Sequence, residues 1–148
     1  MVYTVGEMAQ RLGVAPSTLR YYDQNGLLPF VERSNGGIRV FKDSDFEWLQ
    51  IICCLKKTGM PLKNIKSFVE MAMLGDSTIE ARLTLITSQK SAVTDKISEL
   101  QETLRILEFK EWYYTTAKEY GTTSVPGNMP LDELPEEFKE IWLKLKGK

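Results

Sequence analysis

The 148-residue chain is 43% hydrophobic and 26% charged with a formal net charge of −1, which suits one folded domain plus an appendage and excludes a uniformly basic nucleic-acid binder. It contains no histidine, and this removes His-based acid–base catalysis, Ser-His triads and His-containing metal sites together. Its two cysteines, Cys53 and Cys54, are adjacent and cannot staple long loops, so a reducing cytoplasm is the expected setting.

At the N-terminus, MVYTVGEMAQ lacks a basic start followed by an apolar run, so no secretory signal is expected. Thr4 and Glu7 have the spacing of a capping box, and the short helix they open turns Met8, Ala9 and Leu12 inward before Gly13 stops it. Val14 and Ala15 then lead to Pro16, a favoured first helical residue, and a second short helix runs to about Gln24. Two short helices with a tight Gly-containing turn read as either a helix-turn-helix or a generic helical hairpin. After Pro29 the period changes. Val31 and Arg33, the turn Ser34 to Gly37, then Ile38 and Val40 predict a small β-hairpin. Asp43 or Ser44 should cap a third helix reaching Thr58. Its WLQIICCL stretch is too short to span a bilayer. Pro61 opens a fourth helix, closed by Gly75. Residues 1–75 thus follow a winged-helix order and carry nine Lys/Arg against seven Asp/Glu. Residues 76–148 carry ten against thirteen, so a mildly basic head precedes an acidic half.

A second capping box, Ser77 to Glu80, is predicted to start a long helix that meets no Gly or Pro before Tyr120. Its seam steps by four and three through Ile79, Leu83, Ile86, Lys90, Val93, Ile97, Leu100, Leu104, Leu107, Glu111 and Tyr114. A helix of about 60 Å cannot bury that seam by itself, and a second copy of the chain is the simplest partner. Lys90 and Glu111 flank Leu100 on opposite sides, so they can pair across chains only if the helices run antiparallel. From Gly121 to Pro130 the composition is loop-like, and Pro135 starts a short helix with Phe138, Ile141, Trp142 and Leu145 on one face. This tail (121–148) is too small for a ligand-binding domain and is expected to dock on the dimer.

On the second helix, Leu19 is the inward anchor, while Ser17 and Thr18 can bond phosphates or base edges and Arg20 can neutralise a phosphate or fork onto guanine. Tyr21 and Tyr22 cannot face the same side. One should join the core and the other offer its hydroxyl. The stretch TLRYYDQNGLLP, followed by GGIRVF and LKKTGMPLKNIK, resembles the DNA-binding half of the MerR family of bacterial transcription regulators. The resemblance covers roughly residues 2–120. It implies a mainly α fold: a winged helix-turn-helix domain (1–75) followed by a long antiparallel coiled-coil dimerisation helix (76–120). It also implies binding to a pseudo-palindrome in double-stranded promoter DNA, which is bent and untwisted so that RNA polymerase can engage both promoter elements. Carried over by position, Thr18, Arg20 and Tyr21 contact DNA, and Arg39 grips phosphate. Asn35 and Gly36 let the wing turn approach closely, and Lys63 makes a second phosphate contact. Ile38 and Phe41 stand where many members have tyrosines. Phe41 is expected to hold the wing by packing instead.

Metal-responsive members resemble one another in cysteines near the end of the dimerisation helix, and none follows Cys54 here. Neither a metal nor another cofactor is expected. On the third helix Cys53 lines up with Phe46 and Leu49, whereas Cys54 lies among Glu47, Gln50, Lys57 and Thr58. Cys54 should therefore be reachable, with Lys57 favouring its thiolate. Its C-L-K-K-T-G context resembles the single-cysteine subgroup that responds to aldehydes and other electrophiles. The alternatives are an inert thiol, with a small molecule held between the coil and the tail near Trp112, Tyr113 and Trp142, or a coiled-coil interaction protein without specific DNA binding. No nucleophile–base pair or phosphate loop suggests an enzyme.

Overall fold

The computed structural model describes all residues, Met1–Lys148. In chain order it contains β1 (Val2–Tyr3), α1 (Val5–Leu12), α2 (Pro16–Gln24), β2 (Glu32–Arg33), β3 (Arg39–Lys42), α3 (Asp43–Lys57), α4 (Leu62–Met73), α5 (Ile79–Tyr120), α6 (Ser124–Gly127) and α7 (Lys139–Leu145). The expected α1 capping box forms: the Glu7 amide donates to Thr4 Oγ1 at 3.3 Å, and the Thr4 amide donates to Glu7 Oε2 at 2.7 Å. Gly13 ends α1 in the left-handed region, φ +69°. Its amide and that of Val14 return to the carbonyls of Gln10 and Ala9, at 3.2 and 3.0 Å. This closure satisfies carbonyls at the helix end and needs a residue free to take positive φ. Pro16 then occupies the first turn of α2.

The sheet has the order β1-β3-β2. The hairpin registers Glu32 with Val40 and Arg33 with Arg39, while Val2 and Tyr3 pair with Lys42 and Phe41. A two-residue strand has no readable period, so β1 escapes sequence analysis. At the wing turn it is Gly37, φ +77°, that takes the left-handed position, with its amide on the Ser34 carbonyl at 2.8 Å. Phe41 is 1% exposed in the central strand, so packing does hold the wing. With it, Met8, Leu19, Leu49, Ile52 and Ile65 form one hydrophobic core.

The capping of α3 differs from expectation. Asp45, not Asp43 or Ser44, accepts from the Lys42 amide, at 2.8 Å. Asp43 instead faces β1 and α1, accepting from the Tyr3 hydroxyl at 2.8 Å, Arg11 Nη1 at 2.9 Å and the Met1 amine at 3.1 Å. Arg11 is in turn held between the rings of Tyr3 and Phe46, 4.7 Å from each centroid. At the start of α5 the Ser77–Glu80 box is replaced by Thr78, whose hydroxyl donates to the carbonyls of Met71 (2.5 Å) and Gly75 (2.8 Å). Arg82 locks that joint through the Thr78 hydroxyl and the Gly75 carbonyl, both at 3.1 Å.

Two compact units divide inside α5, Met1–Ser91 and Ala92–Lys148. In the first, Leu85 packs on the core and Gln89 Nε2 donates to the Thr58 carbonyl at 2.9 Å. In the second, Phe109 is the buried centre of a ring cluster, with the Trp112, Tyr113, Phe138 and Trp142 centroids 5.7–6.2 Å away. The tail therefore packs on its own helix, on a face other than the seam. Leu145, expected in the packed face, is exposed. The loop 121–130 includes the short α6 and buries Pro126. Seam residues stay uncovered within the chain: Leu83 is 62% and Leu100 64% exposed, and Ile86, Ile97, Leu104 and Leu107 are exposed too, with Val93 half-buried.

The hydrogen bond from Tyr3, then those from the Met1 amine and Arg11, hold the Asp43 carboxyl below its ordinary range. A lowered folded pKa means stability that is fully present above the unfolded value of about 3.9 and lost as pH falls through the folded value. Asp43→Asn should therefore be less stable than the parent in urea melts at pH 7. The difference should close in the acid limb, below about pH 4; an equal difference at pH 7 and pH 2.5 would refute the assignment.

Candidate nucleic-acid interface

Helix α2 sorts its residues by face. Leu19 is fully buried and Tyr22 is 5% exposed, whereas Tyr21 is 47% exposed. The two adjacent tyrosines thus divide as expected, Tyr22 into the core and Tyr21 outward. Burial, then the nearby Cys53 and Tyr21, push the Tyr22 phenol up, consistent with a packing role. Ser17 and Arg20 are exposed and Thr18 is half-buried. The Arg20 guanidinium has no ion-pair partner within the chain, which leaves it available to an external anion. The helix closes with Asn25 Nδ2 donating to the Tyr21 carbonyl at 2.7 Å.

Arg39, expected to grip phosphate, is tied to groups of its own chain in this structure. Its side chain is 24% exposed, Nη1 donates to the Val31 carbonyl at 2.5 Å, and Nη2 lies 2.5 Å from Asp23 Oδ1. Arg33 joins the same carboxylate from β2, with Nη2 3.7 Å from Asp23 Oδ2, while its Nη1 donates to the Gly37 carbonyl at 2.7 Å. Asp23 and Arg33 were not singled out from the sequence. The only local signal is an acid at the end of α2 with two basic residues in the hairpin. Beyond this pair, Lys42 Nζ bonds Glu32 across the strands. Asn35, Gly36 and Ile38 are exposed at the wing tip.

Lys63 is exposed in the first turn of α4. One turn later Lys66 lies over the end of α2: a Cβ built on Gly26 would meet Lys66 Cε and Nζ at 3.3 Å. This cation beside a helix C-terminus suits the helix dipole, and the K-x-x-K spacing was its only trace in the sequence. On α3, Cys54 is exposed and Cys53 half-buried. Burial, then Cys54, raises the Cys53 thiol, partly opposed by Lys57. No three His, Cys, Asp or Glu side chains are grouped to hold a metal. Trp112, Tyr113 and Trp142 are engaged in the Phe109 cluster.

A helix pair joined by a tight turn, a β-wing beside it and an outward face bearing Ser17, Arg20 and Tyr21 define a winged helix-turn-helix DNA-binding protein. The chain belongs to the MerR family. The model for MerR HTH family regulatory proteins matches residues 3–72, and that for MerR DNA binding matches residues 46–108. An uncharacterized HTH-type transcriptional regulator of Haemophilus influenzae is 44% identical over 136 residues, 92% of this chain and 98% of that protein. Among solved structures, HiNmlR, described as a MerR family regulator lacking the sensor domain and bound to promoter DNA, superposes with a TM-score of 0.74. It is 45% identical and covers 88% of this chain and 98% of its own. A MerR family regulator from Bacillus thuringiensis gives a TM-score of 0.65 at 40% identity, over 74% and 96% of the two chains. The family comprises DNA-binding regulators rather than enzymes.

Arg20→Ala should weaken DNA binding by about 1–3 kcal/mol without shifting the melting temperature. Arg39→Ala should lower both DNA affinity and thermal stability, the latter by about 1–2 kcal/mol, because it also frees the Val31 carbonyl and Asp23. Unchanged binding in both variants would move the reading surface elsewhere.

Proposed function

We propose that two copies of the chain join through the α5 seam in antiparallel orientation and bind a pseudo-palindromic promoter, bending and untwisting it so that RNA polymerase engages both promoter elements. Residues 1–75 read DNA, 76–120 dimerise and 121–148 brace α5. The observation that carries the reading is the contrast within one molecule: Leu19 and Tyr22 anchor α2, while Arg20 is unpaired and the apolar seam is uncovered. Burying each seam leucine is worth about 1.5–3 kcal/mol. Lys90 and Glu111, the polar seam members, favour the antiparallel arrangement by their placement around Leu100. Promoter DNA in the structure of a relative 45% identical to this chain supports the same ligand. Thr18, Tyr21 and Lys63 join Arg20 at the duplex, with the wing turn at Asn35 and Gly36 against the backbone. Deformation of the duplex makes part of the specificity indirect. The cytoplasm is the compartment this partner requires.

Signal reception is assigned to Cys54, which is exposed on α3 while its neighbour Cys53 is partly packed on the core. A thiol-reactive aldehyde would add to it from solvent. The ligand reading draws less support. The cavity between α5 and α7, beside Ile106 and Ile141, is about 120 Å³, below the roughly 300–1,000 Å³ of small-molecule sites. The cleft at Trp112 and Phe138, about 560 Å³, has the volume but is walled by Glu108, Glu111 and Glu137 rather than by a mainly apolar lining.

In vitro transcription from the promoter region adjoining the protein's own gene tests this directly, with wild type and Cys54→Ser, with and without a thiol-reactive aldehyde. Output should rise with aldehyde only when Cys54 is present. Equal responses, or none, would remove Cys54 as the sensor and leave the DNA-binding function standing.

A further inference from the structure

Between α2 and the wing lies a cavity of about 250 Å³. Its floor is apolar, made by Val5, Leu19 and Phe41, and its rim carries Arg20, Asp23 and Arg39. Packing of Phe41 holds the root of the wing, and this gap lies beside it, between α2 and β3. The polar bridge across it runs through one carboxylate. Asp23, near the end of α2, faces Arg39 of β3 at 2.5 Å and Arg33 of β2 at 3.7 Å. The bridge is incompletely satisfied: Arg39 Nε is buried without a hydrogen bond, and Asp23 Oδ1 has the ion-pair contact with Arg39 Nη2 but no aligned hydrogen bond. A buried pair repays its desolvation fully only when the remaining donors are also met, so an anion that meets them can compete for the guanidinium. A DNA phosphate is such an anion, and a guanidinium can take it in a bidentate fork.

We propose that Asp23 is a specificity-determining positioning residue: it holds the two wing arginines against the recognition helix and releases them to phosphates only on a duplex whose backbone fits the wing. The proposal rests on the reading of α2 and the hairpin as the DNA face. In the free protein Asp23 sets the wing angle and withholds two positive charges from arbitrary DNA. On the matching duplex, phosphates at the proper spacing outcompete it. Its chemical effect is to lower non-specific affinity more than specific affinity.

The test is a set of fluorescence-anisotropy titrations on two duplexes at several salt concentrations. One duplex is selected from a random pool by the wild-type protein, and the other is a scrambled duplex of equal length. Asp23→Asn should bind the scrambled duplex about fivefold more tightly and show a steeper salt dependence, by about one to two in the logarithmic slope, because each phosphate newly neutralised adds about 0.9. Its affinity for the selected duplex should change little, so its preference for that duplex should fall by up to about fivefold. In an Arg33→Gln background the slope increase should shrink, since one of the two released cations is gone. Asp23→Glu, which keeps the charge, should fall between wild type and Asp23→Asn, and it carries the test if Asp23→Asn melts below the assay temperature. Equal weakening on both duplexes with an unchanged slope would overturn the proposal and leave Asp23 as a structural tie. A wild-type protein that selects no duplex would instead bring down the DNA-face reading, and the proposal with it.

Discussion

Leu19 and Tyr22 are packed away on one side of α2, and that burial turns the opposite side into a surface. Successive residues on a helix are about 100° apart, so anchoring positions 19 and 22 aims 17, 20 and 21 elsewhere. The anchor works because the core beneath it gathers short elements from distant parts of the chain. Phe41 comes from a four-residue strand and Met8 from an eight-residue helix, with Leu49 and Ile52 from α3. None of these pieces is stable alone. The orientation of Arg20 and Tyr21 is therefore a property of the whole first unit.

Helix α5 meets a different requirement, because it carries two apolar faces. The seam repeats in steps of four and three. The other face, through Phe109, Tyr113 and Ala117, advances by fours and is covered by Phe138 and Trp142 of the chain's own tail. The two are distinguished by what lies over them. An apolar stripe left uncovered in a single chain is an interface in waiting, whereas one covered internally belongs to the fold. This division gives the tail a structural role of its own.

The parts legible in the sequence were those governed by near neighbours. The capping box at Thr4, the stop at Gly13, the start at Pro16 and the heptad seam all depend on spacings of a few residues, and the structure places each where its spacing puts it. Illegible parts depend on partners far along the chain. Asp43 has the composition of a helix cap, but Tyr3, forty residues earlier, competes for its carboxylate. Asp23 looks like an ordinary exposed helix residue until the hairpin brings Arg33 and Arg39 against it. The same holds for Arg39, whose phosphate role is an expectation from family resemblance and whose ties to Val31 and Asp23 follow only from the folded hairpin.

The tail's hold on Phe109 bears on the order in which the chain is made. Synthesis makes the first unit before α5, and Phe138 and Trp142 after it. A nascent helix finished only to Tyr120 presents hydrophobic side chains on two flanks, the seam and the ring of Phe109 and Trp112. The seam can find another nascent copy, but the aromatic flank has no answer until the final segment emerges. A chain reaching only to Tyr120 would bare Phe109 and Trp112 beside the seam, so residues 121–148 set how much apolar surface α5 presents to other proteins.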